Sequence, residues 1–164
     1  MSVTHQSRET TRTNGSTLVV MLGTGTPRPD PNCAGPATVV VVNNTPYLID
    51  FGPGVIRRAS AAYENGVKAL GYGGVNIKTA FLTHMHSDHT IGYPDLIFTP
   101  WVAGRHDPLT VYGPKGIKAM TANILKAWQI DIAARSNGLH RKTSVGCKVH
   151  AHEIVPGIVY KDAN

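Results

Sequence analysis

Six consecutive residues, His84-Met85-His86-Ser87-Asp88-His89, supply three imidazoles and one carboxylate directly after a strand-like run from Ile77 to Thr83. Few tasks other than holding a metal ion need that density of donors. Imidazole nitrogen and carboxylate oxygen suit zinc, and also iron, manganese or cobalt. No thiolate stands among them, which points to an open, water-bearing catalytic site rather than a closed structural one. On a straight strand His84 and His86 would share a face while Asp88 and His89 faced opposite ways. A chain that turns after Thr83 lets two pairs of donors aim at two adjacent points, the geometry of a dinuclear site.

The rest of the chain reads as strands alternating with helices. Thr17 to Leu22 has a short buried-strand pattern, closed by Gly23-Thr24-Gly25-Thr26-Pro27. A Pro-rich loop leads to a strand at Ala37–Val42, and Asn43-Asn44 is a hairpin signal that returns the chain into Pro46–Phe51. Pro53 is placed to start a helix. Its apolar spacing (Val55, Ala59, Ala62, Tyr63, Val67, Leu70) carries it to Leu70, with Arg57, Arg58, Glu64 and Lys68 left for solvent. Beyond the histidines, Pro94 and Pro100 limit any helix in Ile91–Ala103. Leu109–Tyr112 is a strand, and one long helix carries the stripe Ile117, Met120, Ile124, Leu125, Trp128 and Ile132, ending at Ser136-Asn137-Gly138. Cys147–Val155 alternates as a half-exposed strand, with Ile158-Val159-Tyr160 as its expected hairpin partner. The His-rich loop thus follows a strand's C-terminal end, where open α/β sheets place their sites.

The HxHxDH spacing after a strand resembles the signature of the metallo-β-lactamase superfamily of metallo-hydrolases. Together with Gly23 to Pro27, Leu48-Ile49-Asp50-Phe51-Gly52 and His89-Thr90-Ile91-Gly92, it makes residues 17 to 162 resemble the ribonuclease Z and arylsulfatase-like branch. The resemblance implies an α/β fold, the αββα sandwich, with only its N-terminal half present. Residues 17–164 would be the N-terminal part of a single metallo-hydrolase domain, and residues 1–16 a disordered tail. It implies that His84 and His86 hold a first zinc and Asp88 and His89 a second, with manganese or iron as substitutes. A water or hydroxide between the ions, oriented by Asp88, would be the nucleophile. Asp50, a carboxylate ending an apolar strand, costs energy there unless paired. The resemblance implies that it braces the metal loop by hydrogen bonds; stabilising the strand-to-helix turn is the alternative.

The leading expectation is a zinc-dependent hydrolase of ester bonds, arylsulfatase-like or phosphodiesterase-like, acting on a small-molecule ester. Ribonuclease Z-like enzymes continue past their histidines with a Gly-Leu-Pro-Gly-Leu-Leu type of run, where this chain has Gly92-Tyr93-Pro94-Asp95-Leu96-Ile97. That departure favours the esterase side. Ribonuclease Z-like processing of transfer-RNA 3′ ends, with RNA as partner, is the alternative; for the chain alone, so is a non-catalytic metal-binding or interaction module. The family's later histidine, bridging aspartate and final histidine have no counterpart before Asn164. Each metal would then have two protein donors where a catalytic zinc has three. The chain is therefore expected to be a fragment, a poor catalyst alone. Its apolar sheet face and unpaired edge would invite a homo-oligomer or pairing with the missing half.

Composition excludes little. Sixteen Lys and Arg against ten Asp and Glu give +6, a mild preference for polyanionic partners. The longest purely aliphatic run, Val39–Val42, is too short to span a membrane. Met1 to Ser16 lacks an apolar signal region, so the expected compartment is the cytoplasm by default, or periplasmic or secreted if a signal was removed. Cys33 and Cys147 lie far apart and form no metal or redox motif. Gly23 to Pro27 lacks the third glycine of a dinucleotide loop and the Gly-Lys of a P-loop, and reads as a close-approach turn beneath the metal floor. His150 and His152 share one strand face and read as a solvated pair; His106 and His140 read as surface residues. Tyr93, Phe98 and Trp101 read as core, with an aromatic substrate pocket as the alternative.

Overall fold

The structure, a computed structural model, describes residues 15–137 and 143–164. The expected tail (residues 1–14 of it), His140 and the glycine expected to end the last helix lie outside the described residues. Six strands form one sheet in the order β1-β2-β3-β4-β5-β6: Thr17–Gly23, Ala37–Val42, Thr45–Ile49, Thr79–Phe81, Leu109–Gly113 and Val149–Glu153. The first three run antiparallel and the last three continue parallel to β3. Asn43 and Asn44 both take positive φ, 47° and 68°, as a two-residue hairpin turn with the strand's own twist requires.

Helices fill each parallel crossover. α1 (Val55–Glu64) lies between β3 and β4; α2 (Ser87–Thr90) and α3 (Tyr93–Ala103) lie between β4 and β5; α4 (Ile117–Ala127) and α5 (Gln129–Asn137) lie between β5 and β6. Strand order follows chain order, so right-handed crossovers put every helix on the same face. That face carries the core: Val39, Leu48, Ala80, Leu109 and Val111 are fully buried beneath Val55, Ile56, Leu96 and Ile97. Each such aliphatic side chain contributes about 1.5–3 kcal/mol by leaving water. No described helix is long and apolar enough to cross a membrane.

Several local expectations yield to tertiary context. β1 is an edge strand rather than a buried one, with Leu18, Val19 and Met21 all about half exposed or more. α1 stops at Glu64, because Asn65 caps it and Gly66 turns at φ 106°. Leu70 still reaches the core, through a separate 3-10 turn at Lys68–Leu70. The long helix breaks at Trp128 into α4 and α5, and α5 buries none of its side chains fully. α3 runs through both prolines. Pro94 sits in its first turn, where no N–H is needed. Pro100 withdraws the donor that Leu96 O would have used. The Arg105 guanidinium replaces it, donating to Leu96 O at 3.0 Å, Ile97 O at 2.7 Å and Gly146 O at 3.1 Å. Burial pulls that guanidinium down to about 10, which leaves it cationic at neutral pH.

The second face of the sheet has no helix among the described residues. Val40, Tyr47, Phe81 and Tyr112 are half buried there. Residues 158–160 do not pair with β6. They cross this face instead, placing the Tyr160 ring 5.5–5.9 Å from those of Tyr112, Phe81 and Tyr47. The Asp162 carboxylate accepts hydrogen bonds from the Tyr47 and Tyr160 hydroxyls.

Candidate metal centre

The site grows from the C-terminal ends of β3 and β4, adjacent parallel strands in register at Ile49 and Phe81. One residue on, Asp50 takes φ 58°, a left-handed backbone that aspartate tolerates at modest cost. That turn aims its carboxylate sideways at the end of β4 rather than along the strand. Asp50 is buried, and it accepts hydrogen bonds from Thr83 N at 2.8 Å, Thr83 Oγ1 at 2.9 Å and His89 Nδ1 at 2.8 Å. These bonds tie Asp50 to the start and the end of the His-rich loop; no other described group bonds its carboxylate.

The His-rich loop wraps into α2, a single helical turn pinned against the end of β3. Phe51 N donates to His89 O, and Gly92 N donates to Phe51 O, both at 3.0 Å. The approach is close enough that a Cβ on Gly52 would stand 2.5 Å from Asp88 O, and one on Gly92 2.3 Å from Gly52 O. Neither contact is tolerable, so glycine is required at both positions. The Gly23 to Pro27 turn contacts the loop at Ala34 through a 2.8 Å bond from Gly25 N, and that loop in turn bonds Gly52 through Pro36 O.

Donor counting fixes two imidazoles. Thr83 Oγ1 has one hydrogen and faces the Asp50 carboxylate, which can only accept. It therefore accepts from His84 Nδ1–H, 2.9 Å away, since the opposite assignment would leave two oxygens with no hydrogen between them. In the neutral ring this leaves the His84 Nε2 lone pair facing His86 Nδ1. His89 Nδ1 donates to Asp50, which in the neutral ring leaves the lone pair on Nε2. His84 Nε2 stands 3.1 Å from His86 Nδ1, and His89 Nε2 stands 3.5 Å from Asp88 Oδ2. Two ligands of one tetrahedral zinc, each at about 2.0–2.1 Å, are about 3.3 Å apart. The His84–His86 distance is that of a hydrogen bond between the rings, both distances lie near the separation of two donors on one ion, and the His84 and His89 rings are 4.1 Å apart. The donor chemistry, imidazole nitrogen and carboxylate oxygen, suits a divalent metal ion. No group of three or more such donors converges among the described residues.

The remaining candidates fall elsewhere. Tyr93, Phe98 and Trp101 are buried. Tyr93 stacks on Phe51 at 4.7 Å and bonds Thr121, and burial pushes its hydroxyl up to about 12. His150 and His152 are exposed on β6, with His152 stacked on Tyr112 at 4.9 Å. His106 is exposed, and both cysteines are free thiols. Thr83 is the functional residue that pattern reading passes over. Its signal is a hydroxyl between a buried strand and the first histidine.

With this geometry in view, residues 30–159 match the profile of the metallo-β-lactamase superfamily. The chain belongs to that superfamily. It is 37% identical over 145 residues to a ribonuclease Z of Mycolicibacterium gilvum (strain PYR-GCK), an overlap of 87% of this chain and 48% of that protein. A ribonuclease Z of Mycobacterium avium (strain 104) is 40% identical over 120 residues, or 71% and 40% of the two chains. The chain spans about half the length of the curated relatives it matches. Among solved structures, the short form of human tRNase Z superposes with a TM-score of 0.61 at 24% identity, over 87% of this chain and 46% of that one. The metallo-β-lactamase-fold protein YhfI from Bacillus subtilis gives 0.54 at 18%, over 85% and 46%. The fold is thus α/β of the metallo-β-lactamase type, and the one sheet with one helical layer amounts to half of an αββα sandwich.

Proposed function

We propose that His84, His86, Asp88 and His89 form a two-metal centre, and that the protein carrying this chain is a zinc-dependent phosphodiesterase of the ribonuclease Z kind, cleaving RNA. The observation that carries this reading is the spacing of the two donor pairs, each matched to one ion and both anchored from Asp50. Zinc bound there, or manganese or iron in its place, would acidify a water and polarise a phosphoryl oxygen. Asp50 keeps the Nδ1 hydrogen of His89 engaged and, through Thr83, that of His84, so both rings present Nε2. Asp88 would orient that water through its carboxylate. A catalytic zinc takes three protein donors, so each ion would need one beyond this chain's pair, and residues 17–164 would form the N-terminal part of the metallo-hydrolase domain.

Three observations favour RNA over a small aryl ester or sulfate. The curated relatives are named ribonuclease Z. The net charge of +6 suits a polyanion. The Gly92 to Ile97 run, which in sequence favoured the esterase side, forms the start of α3 with Tyr93, Leu96 and Ile97 buried, so its divergence concerns core packing rather than substrate. The β1 edge and the aromatic sheet face are the surfaces on which a second copy, or the rest of the parent protein, would pack. The parent protein loaded with zinc should cleave precursor transfer RNA, and His86→Ala should lose that activity by orders of magnitude. Turnover of aryl sulfate with precursor RNA left intact would overturn the reading.

A further inference from the structure

Among the described residues, one side-chain hydrogen bond joins α3 to α4, between the Tyr93 hydroxyl and Thr121 Oγ1 at 2.7 Å. Both residues are buried, Tyr93 completely. The direction of the bond is fixed. The Tyr93 hydroxyl has no other partner among the described residues, and Thr121 Oγ1 gives its one hydrogen to Ile117 O at 2.8 Å. Tyr93 therefore donates and Thr121 accepts. A buried leucine at position 93 would also cover Phe51 and would need no partner. The hydroxyl costs desolvation unless it is bonded, so what it adds is orientation rather than area. The Tyr93 ring packs on that of Phe51 at 4.7 Å, tilted by 31°. Phe51 is the residue whose backbone N–H donates to His89 O and whose C=O accepts from Gly92 N, the residue before Tyr93. α4 also reaches the other end of the metal loop. Met85 Cε stands 3.5 Å from where a Cβ on Gly116 would be, one residue before α4 begins. Gly116 is itself anchored, its N–H donating to Glu153 Oε1 at 2.8 Å. The start of α4 thus bears on the loop twice, at Met85 by contact and at His89 through Tyr93 and Phe51.

We propose that Tyr93 and Thr121 are positioning residues of the metal centre: their hydrogen bond fixes the Phe51 ring and, through the Phe51 backbone, the place of His89 in α2. The proposal rests on the reading of His84 to His89 as a metal centre, and adds to it two residues that touch none of the donors. Loss of the bond leaves the core filled but frees the ring that carries the His89 carbonyl's partner.

The test combines two measurements on the full chain: amide hydrogen exchange of Phe51 and Gly92 in the metal-free protein, and a zinc titration against a chromophoric chelator. Tyr93→Phe keeps the ring and deletes the hydroxyl. It should speed exchange at Phe51 and Gly92 about tenfold. It should also weaken zinc binding about fivefold, less than the about 10–100-fold expected of a residue bonded directly to a ligand. Thr121→Val should do the same, and Thr121→Ser should restore the wild-type values. Tyr93→Phe combined with Thr121→Val should lose little more than either alone. Trp101→Phe is the control for a purely structural loss. It deletes the bond from Trp101 Nε1 to Thr143 O, 2.9 Å long, at the far end of α3. It should lower the unfolding midpoint at least as much as Tyr93→Phe while leaving exchange at Phe51 and zinc affinity unchanged. If Tyr93→Phe leaves zinc affinity unchanged, whatever the exchange does, or if Trp101→Phe weakens zinc as much, Tyr93 and Thr121 only fill the core and the metal-centre reading stands. If the wild type binds no zinc, the metal-centre reading falls and the positioning role falls with it.

Discussion

His89 and His86 stand three residues apart in one loop and are held in opposite ways. His89 is mostly buried, its Nδ1 is bonded to a buried carboxylate, and its backbone carbonyl is pinned by Phe51. His86 is exposed, and among the described residues its ring has one hydrogen-bond partner, the neighbouring imidazole of His84. Since His84 Nε2 offers a lone pair, His86 must donate Nδ1–H to it, and that hydrogen occupies the position where a metal ion would bind. In the proposed centre, with neutral rings, one side is therefore set before metal arrives, whereas the other would have to exchange a tautomer to accept it. The difference traces to the fold. His89 and His84 lie within reach of the β3 and β4 ends, whose parallel register fixes Asp50 against Thr83, and His86 lies at the loop tip beyond them.

The comparison is most exposed at Asp50. Asp50→Ala removes the partner of Thr83 N–H and His89 Nδ1–H and puts alanine into a left-handed backbone. Denaturant unfolding of the metal-free chain should fall by about 2–4 kcal/mol, and zinc affinity by about 10–100-fold. His86→Ala in the same unfolding experiment should stay within about 0.5 kcal/mol of wild type. Equal losses for the two would mean that the loop is held some other way. A smaller effect sharpens the relay. Thr83→Val keeps the shape but deletes the hydroxyl through which Asp50 reaches His84, and should cost about 1 kcal/mol of metal-free stability. His89 should keep its Nδ1–H bond in that variant, which imidazole nitrogen chemical shifts would register.

Much of this centre was readable from residues alone. The donor-rich run and the carboxylate at a strand end were legible because both are local in sequence, whereas the pairing of the donors and the bracing role of Asp50 are what the family resemblance implies. Asn43-Asn44 was equally legible, since its turn geometry is a property of those two residues. What was hidden depends on contacts far apart in the chain. The role of Thr83 requires that β3 and β4 be neighbours. The continuity of α3 through Pro100 depends on Arg105 filling in for the missing donor, which no helical periodicity announces. The exposure of β1 follows from its place at the edge of the sheet, a matter of topology rather than of its own apolar pattern. The packing of Tyr160 on Tyr47, Phe81 and Tyr112 likewise overrode a hairpin that the Pro156-Gly157 turn suggested locally.

The central claim is that Asp50 fixes His89 to offer Nε2, and not Nδ1, to a metal ion. Long-range proton–nitrogen correlation spectra of the histidine rings during a zinc titration test it directly. The account predicts that His89 keeps a protonated Nδ1 throughout and that its Nε2 resonance moves on metal binding, while His86 changes the nitrogen that carries its hydrogen. Metallation of His89 through Nδ1, or a His89 ring that does not respond to zinc at all, would contradict it.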